Sequence, residues 1–210
     1  MYKKALGVTK LAKEVLSMEE KEGRHWEYVA ERDSFYLYEN NKGYWKAENI
    51  QYLLSYIRKH ILDIDINLDS KAAVKETLEA MKTILIDHNN MSRFNYSNYN
   101  DISLINLKNG MLNWKDGKFL EHNKSYYSQI QLNVEYDENA KCPRWEKALK
   151  EWLPDVSSRL FLQEYIGYCL IPDTSRDTAV VLLGEGSNGK STFIDIVRKL
   201  IGSDNISSIP

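Results

Sequence analysis

The sequence predicts an α+β protein in which a mixed helical and β-hairpin region precedes a strand–loop–helix unit of α/β type. Three observations carry this. Apolar residues recur at helical spacing through the first half, tight-turn dipeptides separate short alternating runs in the middle, and a continuous apolar run leads into a glycine-rich loop near the end. The expected segments are 1–95, an accessory region of helices plus a hairpin; 96–175, a β-meander followed by helices; and 176–210, the start of an α/β domain.

Taken in order, Thr9 is placed to cap a helix through Glu20, with Leu11, Val15, Leu16 and Met18 as its apolar side. FYLY (35–38) and GYWKA (43–47) flank the polar turn ENNK and predict a hairpin. Ile50, Leu53, Leu54, Ile57 and Ile61 form the stripe of a helix over 47–62. Ser70 caps the next helix, in which Val74, Leu78, Met81 and Leu85 repeat at helical spacing. The polar stretch MSRFNYSNYN (91–100) predicts a linker.

Asn109-Gly110 and Asp116-Gly117 are tight-turn pairs between ISLINL, MLNW and KFLE, since both supply residues that tolerate positive φ. Ile130, Leu132, Val134 and Tyr136 alternate as in a strand with one buried face. Pro143 suits the first turn of a helix aligning Trp145, Leu149 and Trp152, which Pro154 ends. Asp155 or Ser157 caps another helix with Leu160, Phe161, Tyr165 and Ile166 inward, stopped by Pro172. TAVVLL (178–183) reads as a strand buried on both faces of a parallel sheet.

Composition is that of an ordinary globular chain, 43% hydrophobic and 28% charged, with net charge −2. That balance argues against a binder driven by gross positive charge. Cys142 and Cys169 belong to no CxxC pair, and the four histidines show no zinc spacing, so a disulfide framework and a structural zinc are unsupported. The N-terminus lacks the apolar core of a signal peptide, and no run approaches the ~18 apolar residues of a membrane span. The expectation is a cytoplasmic protein.

The chemistry is concentrated in Gly184-Glu185-Gly186-Ser187-Asn188-Gly189-Lys190-Ser191, followed by Thr192, which satisfies G-x-x-x-x-G-K-[ST] in full. The flanking text is that of a P-loop: an apolar strand before it, and after it a helix with Phe193, Ile194, Ile196, Val197, Leu200 and Ile201 on one side, closed by Gly202. Glycines 184, 186 and 189 free the backbone to aim N–H groups at a phosphate, and the following helix adds the positive end of its dipole. Lys190 is expected to reach the β- and γ-phosphates of ATP, and the Ser191 hydroxyl to ligate Mg²⁺. Ser187 and Asn188 fill loop positions. The acidic strand and arginine that complete an ATPase normally follow the P-loop helix, so they are expected beyond Pro210, and this chain alone is expected to be inactive.

With these residues in view, the stretch from INLKNGMLNWKDGKFLEHN through YYSQIQLNVEYDENAKCPRWEKALKEWLPD to LQEYIGYCLIPDTSRDTAVVLLGEGSNGKSTF resembles the phage and plasmid primase–helicase family. That family includes relatives of poxvirus and satellite-phage replication helicases of superfamily 3. The telling pieces are N-x-K-N-G-x-L, Y-D-x-x-A-x-C-P-x-W and G-x-G-x-N-G-K-S-T; the similarity covers about 102–201, and residues before Met91 are only loosely similar. The resemblance implies the opening of an AAA+-like ATPase behind a collar region. It further implies a mobile-element replicative helicase that binds single-stranded or forked DNA and unwinds DNA as a homo-oligomer, expected to be a hexamer, in a bacterial host cytoplasm. Gly184, Gly186, Asn188, Gly189, Lys190, Ser191 and Thr192 match its nucleotide loop. The alternative is a stand-alone, non-catalytic module that binds helicase subunits or DNA and regulates assembly; a small-molecule kinase is a poorer third reading.

Other constellations are weaker. Asp63-Ile64-Asp65 after Ile61-Leu62 has the h-h-D-h-D pattern of a primase metal site, or else is the solvated end of a helix. Trp145 and Trp152, at i and i+7, read as core packing rather than base stacking. Tyr126-Tyr127 and Tyr96/Tyr99 are candidates for exposure, near the basic residues Arg93 and Lys124. Arg58-Lys59-His60 sits near a helix C-terminus, where the dipole alone explains it.

Overall fold

The computed structural model describes residues 7–86, 93–94, 103–171, 173, 175–176, 178–186 and 188–207, with the side chain of Leu68 outside that set. Among the described residues the architecture is mixed α+β, with helices and two three-stranded antiparallel sheets. The chain divides into two units, Met1–Asn98 with Asn123–Gln129, and Tyr99–His122 with Ile130–Pro210.

In the first unit, α1 spans Val8–Lys21 and begins at Gly7, which offers no side-chain cap; Thr9 lies inside the helix, not at its start. Strands β1 (Arg24–Val29), β2 (Ser34–Glu39) and β3 (Trp45–Ala47) form an antiparallel sheet, so the predicted hairpin is β2–β3 and β1 is an addition to it. Helix α2 (Ile50–Ile64) starts at Asn49, whose side chain accepts the Gln51 N–H at 2.8 Å. Helix α3 (Lys71–Leu85) starts at Ser70, whose hydroxyl accepts the Ala73 N–H at 3.0 Å. Each cap satisfies a donor that the helix itself leaves unpaired.

Strand alternation gives the sheet two faces. Trp26, Tyr28, Phe35 and Leu37 meet the stripes of the three helices, namely Leu11 and Val15, then Leu53, Ile57 and Ile61, then Val74, Leu78 and Met81. Val29, Tyr36, Tyr38 and Trp45 form a second cluster with Phe94 and Tyr127. The rings of Tyr36 and Phe94 stack at 4.2 Å, and Trp45 and Tyr127 stack at 5.8 Å. Burying each such side chain stabilises the fold by about 1.5–3 kcal/mol. Tyr127 is therefore a packing residue, held by Arg93 over its ring and by its hydroxyl bond to Glu27, rather than a free aromatic in polar text.

Polar groups also lie in the helix-facing core, among them Glu19, His60 and Thr77. Glu19 continues the Leu11–Val15 stripe, and its carboxylate accepts from Arg24 Nε (2.7 Å) and Nη2 (2.6 Å) and from Trp26 Nε1 (2.9 Å). His60 of α2 faces it.

In the second unit, β4 (Leu104–Leu107), β5 (Gly110–Asn113) and β6 (Phe119–Leu120) make the predicted meander. The first turn is Lys108-Asn109, because Leu107 pairs with Gly110; the expected Asn109-Gly110 pair is offset by one residue. The second turn contains Gly117 at φ +73°, whose N–H donates to Asn113 O at 2.8 Å. The 130–136 run is not a regular strand. It lies along the edge of β4 through two backbone bonds, Leu132 N to Asn106 O (2.8 Å) and Lys108 N to Val134 O (2.9 Å), and it buries Leu132 as its alternation required.

Helix α4 (Pro143–Trp152) opens on Pro143, and α5 (Val156–Leu170) on Asp155, whose carboxylate accepts the Ser158 N–H at 2.7 Å. The inward face of α5 differs from expectation: Leu160 and Phe161 are exposed, and Leu162 is the buried residue. Three adjacent apolar residues leave the helical phase undefined, and only one of them can lie on the packed stripe. Ile105, Leu107 and Leu132 form the core here, with Leu170, Ile171 and Ile201 against it. The 91–100 linker lies outside the described residues except for Arg93 and Phe94, as do Pro172 and the Tyr96/Tyr99 pair. Among the described residues no helix is long and apolar enough to cross a membrane.

Candidate phosphate-binding site

The glycine loop leads into α6 (Lys190–Ile201), the helix expected after it. Gly189 is its N-cap, at φ +82°, a left-handed conformation that glycine adopts without steric cost. Its carbonyl accepts the Phe193 N–H at 2.9 Å and opens the helical ladder. The first turn carries no acidic residue, so nothing there offsets the positive end of the helix dipole. Ser191 and Thr192 are exposed on that turn. Phe193, Val197, Leu200 and Ile201 are half-buried, while Ile194 and Ile196 face solvent.

Lys190 folds back over the loop. Its Nζ donates to Asn188 Oδ1 at 2.6 Å, Gly184 O at 2.7 Å and Glu185 O at 3.2 Å. The Asn188 amide in turn fills the space beside Gly184, where an added Cβ would fall 1.9 Å from Asn188 Nδ2. Gly184, Asn188, Gly189 and Lys190 are thus drawn together, with Gly186 in the same turn. Ser187 lies outside the described residues.

The expected strand before the loop is absent among the described residues. Residues 178–183 pair with no other strand, and Val181 and Leu183 are 75% and 88% exposed. An apolar run becomes a parallel strand only when neighbours satisfy its backbone on the sheet, and no described strand does so here.

Sequence reading missed the residue that packs on the loop. Trp152, at the end of α4, lies against Gly189, where a Cβ would sit 2.3–2.7 Å from its indole. Trp145, about two helical turns earlier at i−7, stacks on Phe193 at 5.9 Å and meets Trp152 edge-on at 6.3 Å. The i, i+7 pair was a signal of shared direction, and both rings are half-buried at the start of α6 rather than inside a core. A cavity of ≈250 Å³ lies beside the loop, lined by residues that include Trp152, Leu162, Asn188, Gly189 and Lys190.

Elsewhere, Asp63 and Ile64 belong to α2 and Asp65 is its C-cap, so the h-h-D-h-D pattern is a helix end and not a metal-binding strand. A helix places residues two apart about 200° from each other, which separates the two carboxylates. No described cluster of three or more His, Cys, Asp or Glu residues could hold a metal ion. In the Arg58-Lys59-His60 run, Arg58 pairs with Asp69 through two bonds (2.9 and 2.8 Å), and His60 is fully buried.

Comparison with known proteins places the part of the chain ahead of the glycine loop in a family. Over 150 residues the chain is 25% identical to the protein named "Putative helicase L207/L206" of Acanthamoeba polyphaga mimivirus, an alignment covering 70% of this chain and 15% of that protein. The chain therefore corresponds to a small part of that relative's length. Residues 11–156 match the family model described as D5 N terminal like. The match takes in α1 to α3, which sequence resemblance alone had left outside, and ends ahead of the glycine loop. From the first helix to the start of α5, the chain belongs to the D5 N-terminal-like family.

Proposed function

We propose that this chain is the helicase-associated N-terminal region and the nucleotide-binding loop of a mobile-element replicative helicase of superfamily 3, which unwinds DNA with ATP in its complete form. Family membership supports the helicase association. The observation that carries the nucleotide reading is the loop itself, with Gly189 capping α6 and the Lys190 ammonium held over Gly184 O, Glu185 O and Asn188 Oδ1.

A phosphate entering the loop offers Lys190 anionic oxygens in place of neutral carbonyls, and charge-assisted hydrogen bonds are roughly twice as strong as neutral ones. The unpaired N–H groups at the start of α6 add donors and a favourable dipole. The Ser191 hydroxyl, exposed on the first turn, is available as a Mg²⁺ ligand; Mg²⁺ completes its shell with phosphate oxygens and water and needs no protein cage. The metal supplies charge neutralisation at the β- and γ-phosphates. The exposed apolar side chains of Val181, Leu183, Ile194 and Ile196 support packing of this end against further protein, in keeping with a homo-oligomer in the proposed assembly on DNA.

Titration calorimetry with Mg-ATP, comparing the chain with its Lys190→Ala variant, tests the reading. Saturable binding that is lost in the variant supports it. Absence of binding in the unsubstituted chain overturns it.

A further inference from the structure

We propose that the recess beside the loop is a base site, in which the purine ring of a nucleotide seats against Trp152 while its phosphates occupy the loop. The proposal rests on the P-loop reading and adds the place and chemistry of the base.

Size is the first argument. The recess holds ≈250 Å³, below the roughly 300–1,000 Å³ of a site that encloses a whole drug-sized ligand. It suits a fragment, with the remainder of the ligand lying outside it. Continuity with the loop says which remainder: Asn188, Gly189 and Lys190 line the recess and also form the phosphate turn. A group entering here lies next to whatever Lys190 holds.

The chemistry of the walls is the second argument. Leu149 and Leu153 of α4, Leu162 of α5 and Phe193 of α6 are apolar, and Trp152 adds a flat aromatic surface. A planar, weakly polar ring fits these apolar walls, with the polar groups of Asn188 and Lys190 confined to the end that adjoins the loop. Trp152 is also held in place. Its indole abuts Gly189 on one side and meets Trp145 at 82°, while Trp145 stacks on Phe193 at 19°. A ring so fixed offers a stacking surface at little further entropic cost.

Two probes separate the parts, Mg-ATP and inorganic tripolyphosphate with Mg²⁺, which carries the phosphates without a base. Base stacking on an aromatic side chain is worth about 1–3 kcal/mol, or roughly tenfold and upward in affinity. By calorimetry, Trp152→Ala is expected to weaken Mg-ATP about tenfold or more and to leave tripolyphosphate within about twofold, with Trp152→Phe restoring most of the loss. In the unsubstituted chain, ATP changes tryptophan emission and tripolyphosphate does not, and the change disappears in Trp152→Phe. That emission arm stands even where Trp152→Ala fails to fold. Equal weakening of both probes overturns the base site and makes Trp152 a prop for the loop. Unchanged ATP affinity in Trp152→Ala, or an ATP emission change that survives in Trp152→Phe, overturns it as well. A chain that binds neither probe shows instead that the P-loop reading itself has failed.

Discussion

His60 Nε2 lies 2.5 Å from Glu19 Oε1, and both side chains are withdrawn from solvent, at 0% and 1% exposure. They come from different helices, forty-one residues apart, and meet beneath β1. Arg24 and Trp26 complete the shell around the carboxylate, and Arg24 also pairs with Glu22 at the surface. Burial alone would push Glu19 up; the hydrogen bonds from Arg24, Trp26 and His60 and the Arg24 charge outweigh it and hold the carboxyl below its ordinary value. The His60 Nδ1 atom is buried without a hydrogen-bond partner, 3.9 Å from the nearer Asp63 oxygen. The pair ties α1 to α2 and sets how the two helices lie on the sheet.

Glu19→Ala takes this acceptor from Trp26 and His60 and leaves Arg24 with Glu22 alone. Removing one partner of a buried charged pair typically costs about 3–5 kcal/mol, because the remaining charge stays buried and uncompensated. Set against the ~5–15 kcal/mol that holds a typical domain folded, the loss is large. Urea unfolding followed by tryptophan emission should show it as a lower midpoint. A midpoint within about 0.5 kcal/mol of the unsubstituted chain would show that the network contributes nothing net.

The same carboxylate gives a pH dependence with a defined sign. Its folded value lies below the unfolded value near 4.5, so its contribution is present above 4.5 and is lost as pH falls through the folded value. Stability should therefore hold from pH 7 to about 5 on this account and decline on further acidification. Glu19→Gln has no proton to gain at that position and should show a shallower acid limb. Denaturation midpoints measured for both proteins across the acid range check this; parallel limbs would count against it.

Phe94 anchors the other face of the sheet. It is fully buried, stacked on Tyr36 at 4.2 Å and edge-on to Trp45 at 5.4 Å and Tyr127 at 5.3 Å. Phe94→Ala should cost about 3–5 kcal/mol, the lost transfer energy plus the cavity left among rigid rings. The near-ultraviolet circular dichroism of the cluster should collapse at the same time. A retained aromatic signal with unchanged stability would mean that the cluster forms without it.

Local signals were the legible ones. Ser70 caps its helix as expected and Asp155, one of two candidates, caps α5; the α2 and α3 stripes are buried apart from Ile50, which is exposed, because caps and periodicity act within a few residues. Strand β1 was hidden because RHWEYV mixes charges with large residues; it pairs with β2, and Tyr127, a hundred residues on, bonds its Glu27. His60 was readable in hindsight of its spacing: Leu53, Ile57, His60 and Ile61 fall at i, i+4, i+7 and i+8, so the stripe places it inside. Glu19 falls in the Leu11–Val15 stripe in the same way. At the loop, the glycines and Lys190 were legible as a motif, while the Trp152 contact was not, since nothing in a single sequence says which helix face meets a turn thirty-seven residues later. The 178–183 run shows the limit from the other side: hydropathy specifies what should be buried, but a strand also needs a neighbour.

Gly189 meets two constraints at once, and they can be separated. Its φ of +82° disfavours any side chain, at about 1–3 kcal/mol for a non-glycine residue held there, and an added Cβ would press to within 2.3–2.7 Å of the Trp152 indole. Gly189→Ala should therefore open the loop and, on the proposed nucleotide reading, weaken Mg-ATP binding by about tenfold or more. Pairing it with Trp152→Ala relieves the steric part and leaves the backbone part, so the two losses should add to more than the double variant shows. Thermal unfolding and calorimetry on the four proteins of the cycle measure both terms. Strict additivity would mean that the indole and the glycine do not touch in solution, and that the backbone conformation alone makes glycine necessary at the start of α6.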